Sequence, residues 1–229
     1  MWNKAIRIFA RVFIKPYLMC RLRRSTLWRT EDMDMIIRPG VFHPKYFYST
    51  RFLLDYLKKI SLRGWKVLEV GSGSGCLSVF CAKQGAMADA LDIHPAAVEN
   101  TLENAARNAV VVNAIISDLF SALPARQYDL LLVNPPYYPK NPLKPEEYAW
   151  YCGEDFEYFN RFFTSFRPFV AEEGRVLMVL SETCMLSKIA EVAENYGCGM
   201  QVIRSKTIRG EKLYLYAVIS MKETISQER

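Results

Sequence analysis

Val67-Leu68-Glu69-Val70-Gly71-Ser72-Gly73-Ser74-Gly75-Cys76 passes from an apolar strand pattern into a glycine loop, and Leu77 to Gln84 then read as a helix. Glycines at such a turn permit positive φ and let a ligand approach the backbone closely. Glu69, Gly71, Ser72, Gly73 and Gly75 are therefore candidate ligand-binding residues, with Glu69 placed as an acceptor or electrostatic partner for a cationic group. The spacing is Gly-x-Gly-x-Gly, and Cys76 stands where a dinucleotide fingerprint has its third glycine. That departure ranks a nicotinamide-dependent dehydrogenase low.

Downstream, acidic and amide residues recur at successive strand ends. Ala88 to Ile93 read as a second strand, closed by Asp92-Ile93-His94-Pro95, which opens a helix. A carboxylate about 20 positions beyond a glycine loop can accept both hydroxyls of a ribose. Val110 to Ile116 are a third strand candidate, followed by Ser117-Asp118-Leu119-Phe120. Asp118 can accept an amino group of a flat ring, with Leu119 or Phe120 covering it. Each acid also reads alone as a helix cap or turn residue. A fourth strand, Leu130 to Val133, ends on Asn134-Pro135-Pro136-Tyr137. Proline lacks an N–H, so this edge offers carbonyl acceptors with little competing donation. The Asn134 side-chain oxygen and the Pro135 carbonyl suit the NH2 of a planar nitrogen. Tyr137 is expected to stack on the group that carries it, although a plain proline-rich turn is the simpler reading of that segment alone.

Strands and helices alternate through Val133, which predicts an α/β fold with a mostly parallel sheet and helices on both faces. Further elements are expected as a helix over Arg51–Ile60, a loop over Tyr138–Tyr151 and a helix over Asp155–Val170 capped by Glu154 and Asp155. A strand over Gly174–Leu180, a helix over Cys184–Tyr196 and strands near Met200–Arg204 and Lys212–Ser220 complete the list, the last pair antiparallel. The chain has 229 residues and 51% hydrophobic composition, enough for one sizeable core. Residues 36–229 are expected as one domain and 1–35 as a basic extension. Residues 1–29 of it carry Lys4, Arg7, Arg11, Lys15, Arg21, Arg23, Arg24 and Arg29 without an acid, whereas the whole chain nets +6. Ile6, Phe9, Phe13 and Ile14 recur at helical spacing there, so the arm reads as an amphipathic helix for RNA, an anionic membrane, an acidic protein or its own domain. The six cysteines form no Cys-x-x-Cys pair. This argues against a metal site or a disulfide framework and for a reducing, cytoplasmic location. No apolar stretch approaches the roughly 20 residues of a membrane span.

Glu69, Gly71-x-Gly73-x-Gly75, Asp92, Asp118 and Asn134-Pro135-Pro136-Tyr137, taken in order, resemble the class I S-adenosylmethionine-dependent methyltransferases over about residues 36 to 220. Within them the chain is similar to the small-domain, HemK/PrmC-like N-methyltransferase group. The resemblance implies a Rossmann-like sheet, S-adenosylmethionine as cofactor, and Phe42 and Pro44 as cofactor cover, with Thr50 lying farther from that proline than the glutamine enzymes place theirs. Pro39-Gly40-Val41-Phe42 resembles a segment of rRNA guanine-N2 enzymes, whereas Gly153-Glu154-Asp155 is similar to glutamine methyltransferases. The expected substrate is an exocyclic amine of an RNA base; N5-methylation of a protein glutamine is the alternative. A non-catalytic cofactor-binding scaffold or RNA-binding module is the reading of another class.

Overall fold

The structure, a computed structural model, describes residues 24–221. The amphipathic helix expected around Ile6 to Ile14 lies outside them. The first elements are two short antiparallel strands, β1 (Thr26–Arg29) and β2 (Asp34–Ile37). The boundary expected after residue 35 falls inside β2. These strands were hidden because four residues in a charged stretch carry little periodicity.

Helix α1 (Tyr48–Leu57) leads into the alternating part: β3 (Lys66–Val70), α2 (Cys76–Lys83), β4 (Met87–Asp92), α3 (Pro95–Arg107), β5 (Val112–Ile116) and β6 (Tyr128–Val133). Then follow α4 (Glu157–Ser165), β7 (Val170–Ser181), α5 (Leu186–Asn195), β8 (Cys198–Ile208) and β9 (Glu211–Ser220). The main sheet has seven strands in the order β5-β4-β3-β6-β7-β9-β8. Neighbours from β5 to β7 are parallel, and β9 pairs antiparallel with both β7 and β8. This is the expected mostly parallel sheet with an antiparallel carboxyl-terminal pair.

The central strands are apolar on both faces, because helices cover both. Val67, Leu130, Leu132, Leu177 and Val179 face a core completed by Phe52 and Leu53 of α1, Phe80 of α2 and Met35 of β2. Their alternates Leu68, Leu131, Val133, Met178 and Leu180 face Phe159, Phe162 and Phe163 of α4 and Ile189 of α5. The aromatic run after Asp155 makes a shorter helix than expected. Phe156 takes a left-handed φ of 58° before it, and Arg167–Phe169 tighten into a 3-10 turn at Pro168. Neither Glu154 nor Asp155 caps the helix with its side chain. Glu157 Oε2 instead accepts the Asp155 N–H at 3.1 Å.

Strand β2 is held by side chains of α3. Asn100, Asn104 and Asn108 accept the N–H groups of Arg38, Ile36 and Asp34 at 3.0, 2.7 and 3.0 Å. Their amide groups donate back to the carbonyls of Ile36 and Asp34. Four residues of helix rise about 6.0 Å and two residues of strand about 6.6 Å, so an i,i+4 row of amides matches alternate residues of the strand.

Candidate functional site

The strand order reverses between β3 and β6, and an open α/β sheet binds ligands beyond the carboxyl ends of its strands at such a point. Val70 pairs with Val133 in parallel register, so one residue further on Gly71 and Asn134 stand side by side. A cavity of about 480 Å³ opens there, within the usual range for small-molecule sites. Its wall includes Glu69, Gly71, Ser72, Gly73, Asp92, Ile93, Asp118, Leu119, Asn134 and Pro136.

The glycine loop is braced from behind by α3. Ser72 Oγ lies 3.1 Å from Thr101 Oγ1, and Asn104 Nδ2 donates to the Ser74 carbonyl at 2.9 Å. Gly75, outside the wall, has φ +71°, and a Cβ there would sit 2.6 Å from Thr101 Cγ2. Its role is this close approach and the start of α2. Glu69 is buried, and its Oε2 accepts the Ser78 N–H at the start of α2 at 2.8 Å. Burial nonetheless raises its pKa to about 7, with the donors at Ser78 and Leu77 opposing. Asp92 accepts from Gly73 N through Oδ2 at 2.8 Å and from His94 N through Oδ1 at 2.9 Å. Each oxygen keeps a second lone pair for a ribose. Ile93 is 40% exposed beside it, an apolar surface for a flat ring. Asp118 is held at 2.7 Å by Arg161 of α4, and Leu119 follows at φ 50°.

Asn134 is oriented by Thr50, whose Oγ1 accepts from Asn134 Nδ2 at 3.3 Å. Among the described residues no hydrogen bond engages Asn134 Oδ1. Thr50 therefore joins the site directly, despite its distance from Pro44 in sequence. Phe42 is on the wall, but Pro44 is not.

Pro135 and Tyr137 are not on the wall. Tyr137, expected to stack on the substrate, is partly buried against the core. The N–H groups of Tyr137 and Tyr138 both donate to the Trp150 carbonyl, at 3.2 and 3.0 Å, and this turns the Tyr137 ring onto the α4–α5 side of the core. The aromatic faces that do line the cavity are Phe42, Tyr148, Tyr151 and Tyr158. Phe42 is braced by Phe47 and Trp150, with ring centroids 4.8 and 5.3 Å away. Tyr148 and Tyr151 come from the proline-punctuated loop, which folds back to pair Tyr151 with Tyr138. Tyr158 and Arg161 come from α4, a segment that reads in sequence as core.

A left-handed glycine loop beside an acid at each of two neighbouring strand ends fits a nucleoside carrying a charged tail. A buried tyrosine hydroxyl without a hydrogen-bond partner among the described residues, Tyr158 Oη, lies in the same wall and fits it too. Fold and cavity together define a Rossmann-like α/β domain with a nucleoside-sized site at its topological switch point. The chain belongs to the methyltransferase small domain family, which matches residues 32–205. It is 38% identical over 109 residues to a release factor glutamine methyltransferase of Koribacter versatilis, covering 45% of this chain and 38% of that protein. It is 33% identical over 163 residues to the methyltransferase HEMK2 of Homo sapiens, covering 65% of this chain and 76% of that one. Among solved structures, the T. thermophilus 16S rRNA N2 G1207 methyltransferase RsmC, in complex with AdoMet and guanosine, superposes with a TM-score of 0.63. That likeness is one of fold, at 20% identity over 84% of this chain and 50% of the other. The chain spans about half or less of the first curated relatives it matches.

Proposed function

We propose that this protein is an S-adenosylmethionine-dependent N-methyltransferase acting on a planar NH2 nitrogen, the exocyclic amine of an RNA base. The observation that carries the reading is the shared cavity: an uncommitted Asn134 Oδ1 stands next to the glycine loop, across one strand pair. Glu69, Gly71, Ser72, Gly73, Asp92, Ile93, Asp118 and Leu119 would hold the cofactor, which supplies a methyl group already activated on a sulfonium. Asn134 Oδ1 would accept an N–H of the substrate and point its lone pair at that carbon; the Pro135 carbonyl, expected as the second acceptor, lies off the cavity wall. The Asn134 bond strengthens as the nitrogen turns positive, which is the differential interaction that lowers a barrier. Thr50 fixes the amide so that its oxygen, not its NH2, faces the substrate. The proton leaves after transfer, so no strong base is needed.

An RNA base is supported by the aromatic faces at the mouth and by the charge around them. Lys45, Arg51, Lys140 and Lys144 are exposed on the segments that supply Phe42, Thr50 and Tyr148. A protein glutamine is the second reading, supported by the similarity to the release factor enzyme. Mass spectrometry of RNA and of release factors from cells with and without the protein separates the two. Asn134→Ala is expected to lower turnover about 10²–10³-fold with cofactor affinity retained; unchanged biological activity would instead mark a non-catalytic scaffold.

A further inference from the structure

Helix α4 was expected to serve the core, and Phe159, Phe162 and Phe163 do so. Tyr158 differs from them. Its ring stacks on Phe162 at an interplanar angle of 7° and meets Phe159 edge-on. Its hydroxyl is buried, with no hydrogen-bond partner among the described residues. Buried hydroxyls are rarely left so, because the group loses its hydration with no bond gained in return. The residue lines the cavity, on the stretch of wall shared with Asp92, Asp118 and Arg161.

Two features place this hydroxyl. Phe156 enters α4 at φ 58°, a conformation unfavourable for a bulky side chain. Arg161, one helical turn beyond Tyr158, is clamped to Asp118 at 2.7 Å. The Arg161 pair ties α4 to the rim at Asp118, and Tyr158 is carried one turn before it. Burial, with the carboxylates of Asp92 and Asp118 adding to it, keeps the phenol protonated at neutral pH. It is available as a neutral donor beside two anions.

We propose that Tyr158 is a positioning residue for the nucleoside half of the cofactor, its hydroxyl bonding the ribose or the ring that lies between Asp92 and Asp118. This rests on the cofactor reading above. The orphaned group in the free protein then becomes a satisfied one in the complex, so binding gains what folding gave up.

The test is Tyr158→Phe, followed by calorimetric titration with S-adenosylhomocysteine and with 5′-methylthioadenosine, which lacks the amino-acid tail. The expected result is about a tenfold weaker Kd for both probes. The Tm of the free variant should be unchanged or raised, because no bond of the free protein is removed. A purely structural tyrosine would instead lower Tm, and that result overturns the proposal. Equal affinity of variant and native protein for both probes overturns it as well, as does a loss confined to S-adenosylhomocysteine. If the native protein binds neither probe, the cofactor reading itself falls.

Discussion

Glu69 shows how far a single residue's chemistry follows from its place. It lies one residue before the end of β3, in the buried part of that strand, where desolvation outweighs the N–H donors of α2 and lifts its pKa from 4.5 to about 7. Between those values the native state holds a proton that the unfolded chain has released. Stability of the free protein therefore falls as pH rises across that window and levels off above it. Glu69→Gln should flatten this dependence in urea titrations. Ionised Glu69 also favours a cation nearby, so affinity for S-adenosylmethionine relative to its neutral product should rise severalfold from about pH 6 to 8. The ratio in Glu69→Gln should stay constant. The acidic strand ends were legible in the sequence because each closes a strong apolar run. Tyr137 and Tyr158 were not: ring direction depends on hydrogen bonds donated to the Trp150 carbonyl and on the turn at Phe156, which no local pattern announces.

At the scale of elements, the asparagine row on α3 does two things. It satisfies the free edge of β2, and through Asn104 it reaches the Ser74 carbonyl of the glycine loop. Asn104→Ala leaves the Ile36 and Ser74 backbone groups short of partners. A loss of about 2–4 kcal/mol in unfolding free energy is expected, with weaker cofactor binding because the loop loses a brace. Asn104→Asp should be no better, since a carboxylate cannot donate to two carbonyls. The strands from β3 to β7 were readable as apolar runs, with ends shifted by a few residues at most, β7 by four. β1 and β2 were not, since four-residue strands among charges carry little periodicity. The i,i+4 spacing of Asn100, Asn104 and Asn108 was the available signal.

For the whole molecule, the alternation of strands and helices was enough to give the sheet its class, and the glycine loop with the Asn-Pro-Pro edge was enough to locate the cavity. The mouth was less legible, because it is assembled from the Phe42–Thr50 connector, the Tyr138–Tyr151 loop and α4, which are distant in sequence. Its exposed lysines and arginine lead to a prediction about partners. If RNA is the substrate, binding should weaken steeply with salt. Replacing Lys45, Arg51 and Lys140 with Ser together should reduce the slope of log K against log salt by about two to three. A slope unaffected by the triple change would remove RNA from that face.

The amide row on α3 also works as a molecular ruler. One residue inserted between Asn100 and Asn104 would swing everything beyond it by about 100° around the helix axis, taking the lower rungs out of reach of β2. The spacing of that helix therefore tolerates replacement of its outward residues far better than any change in their number.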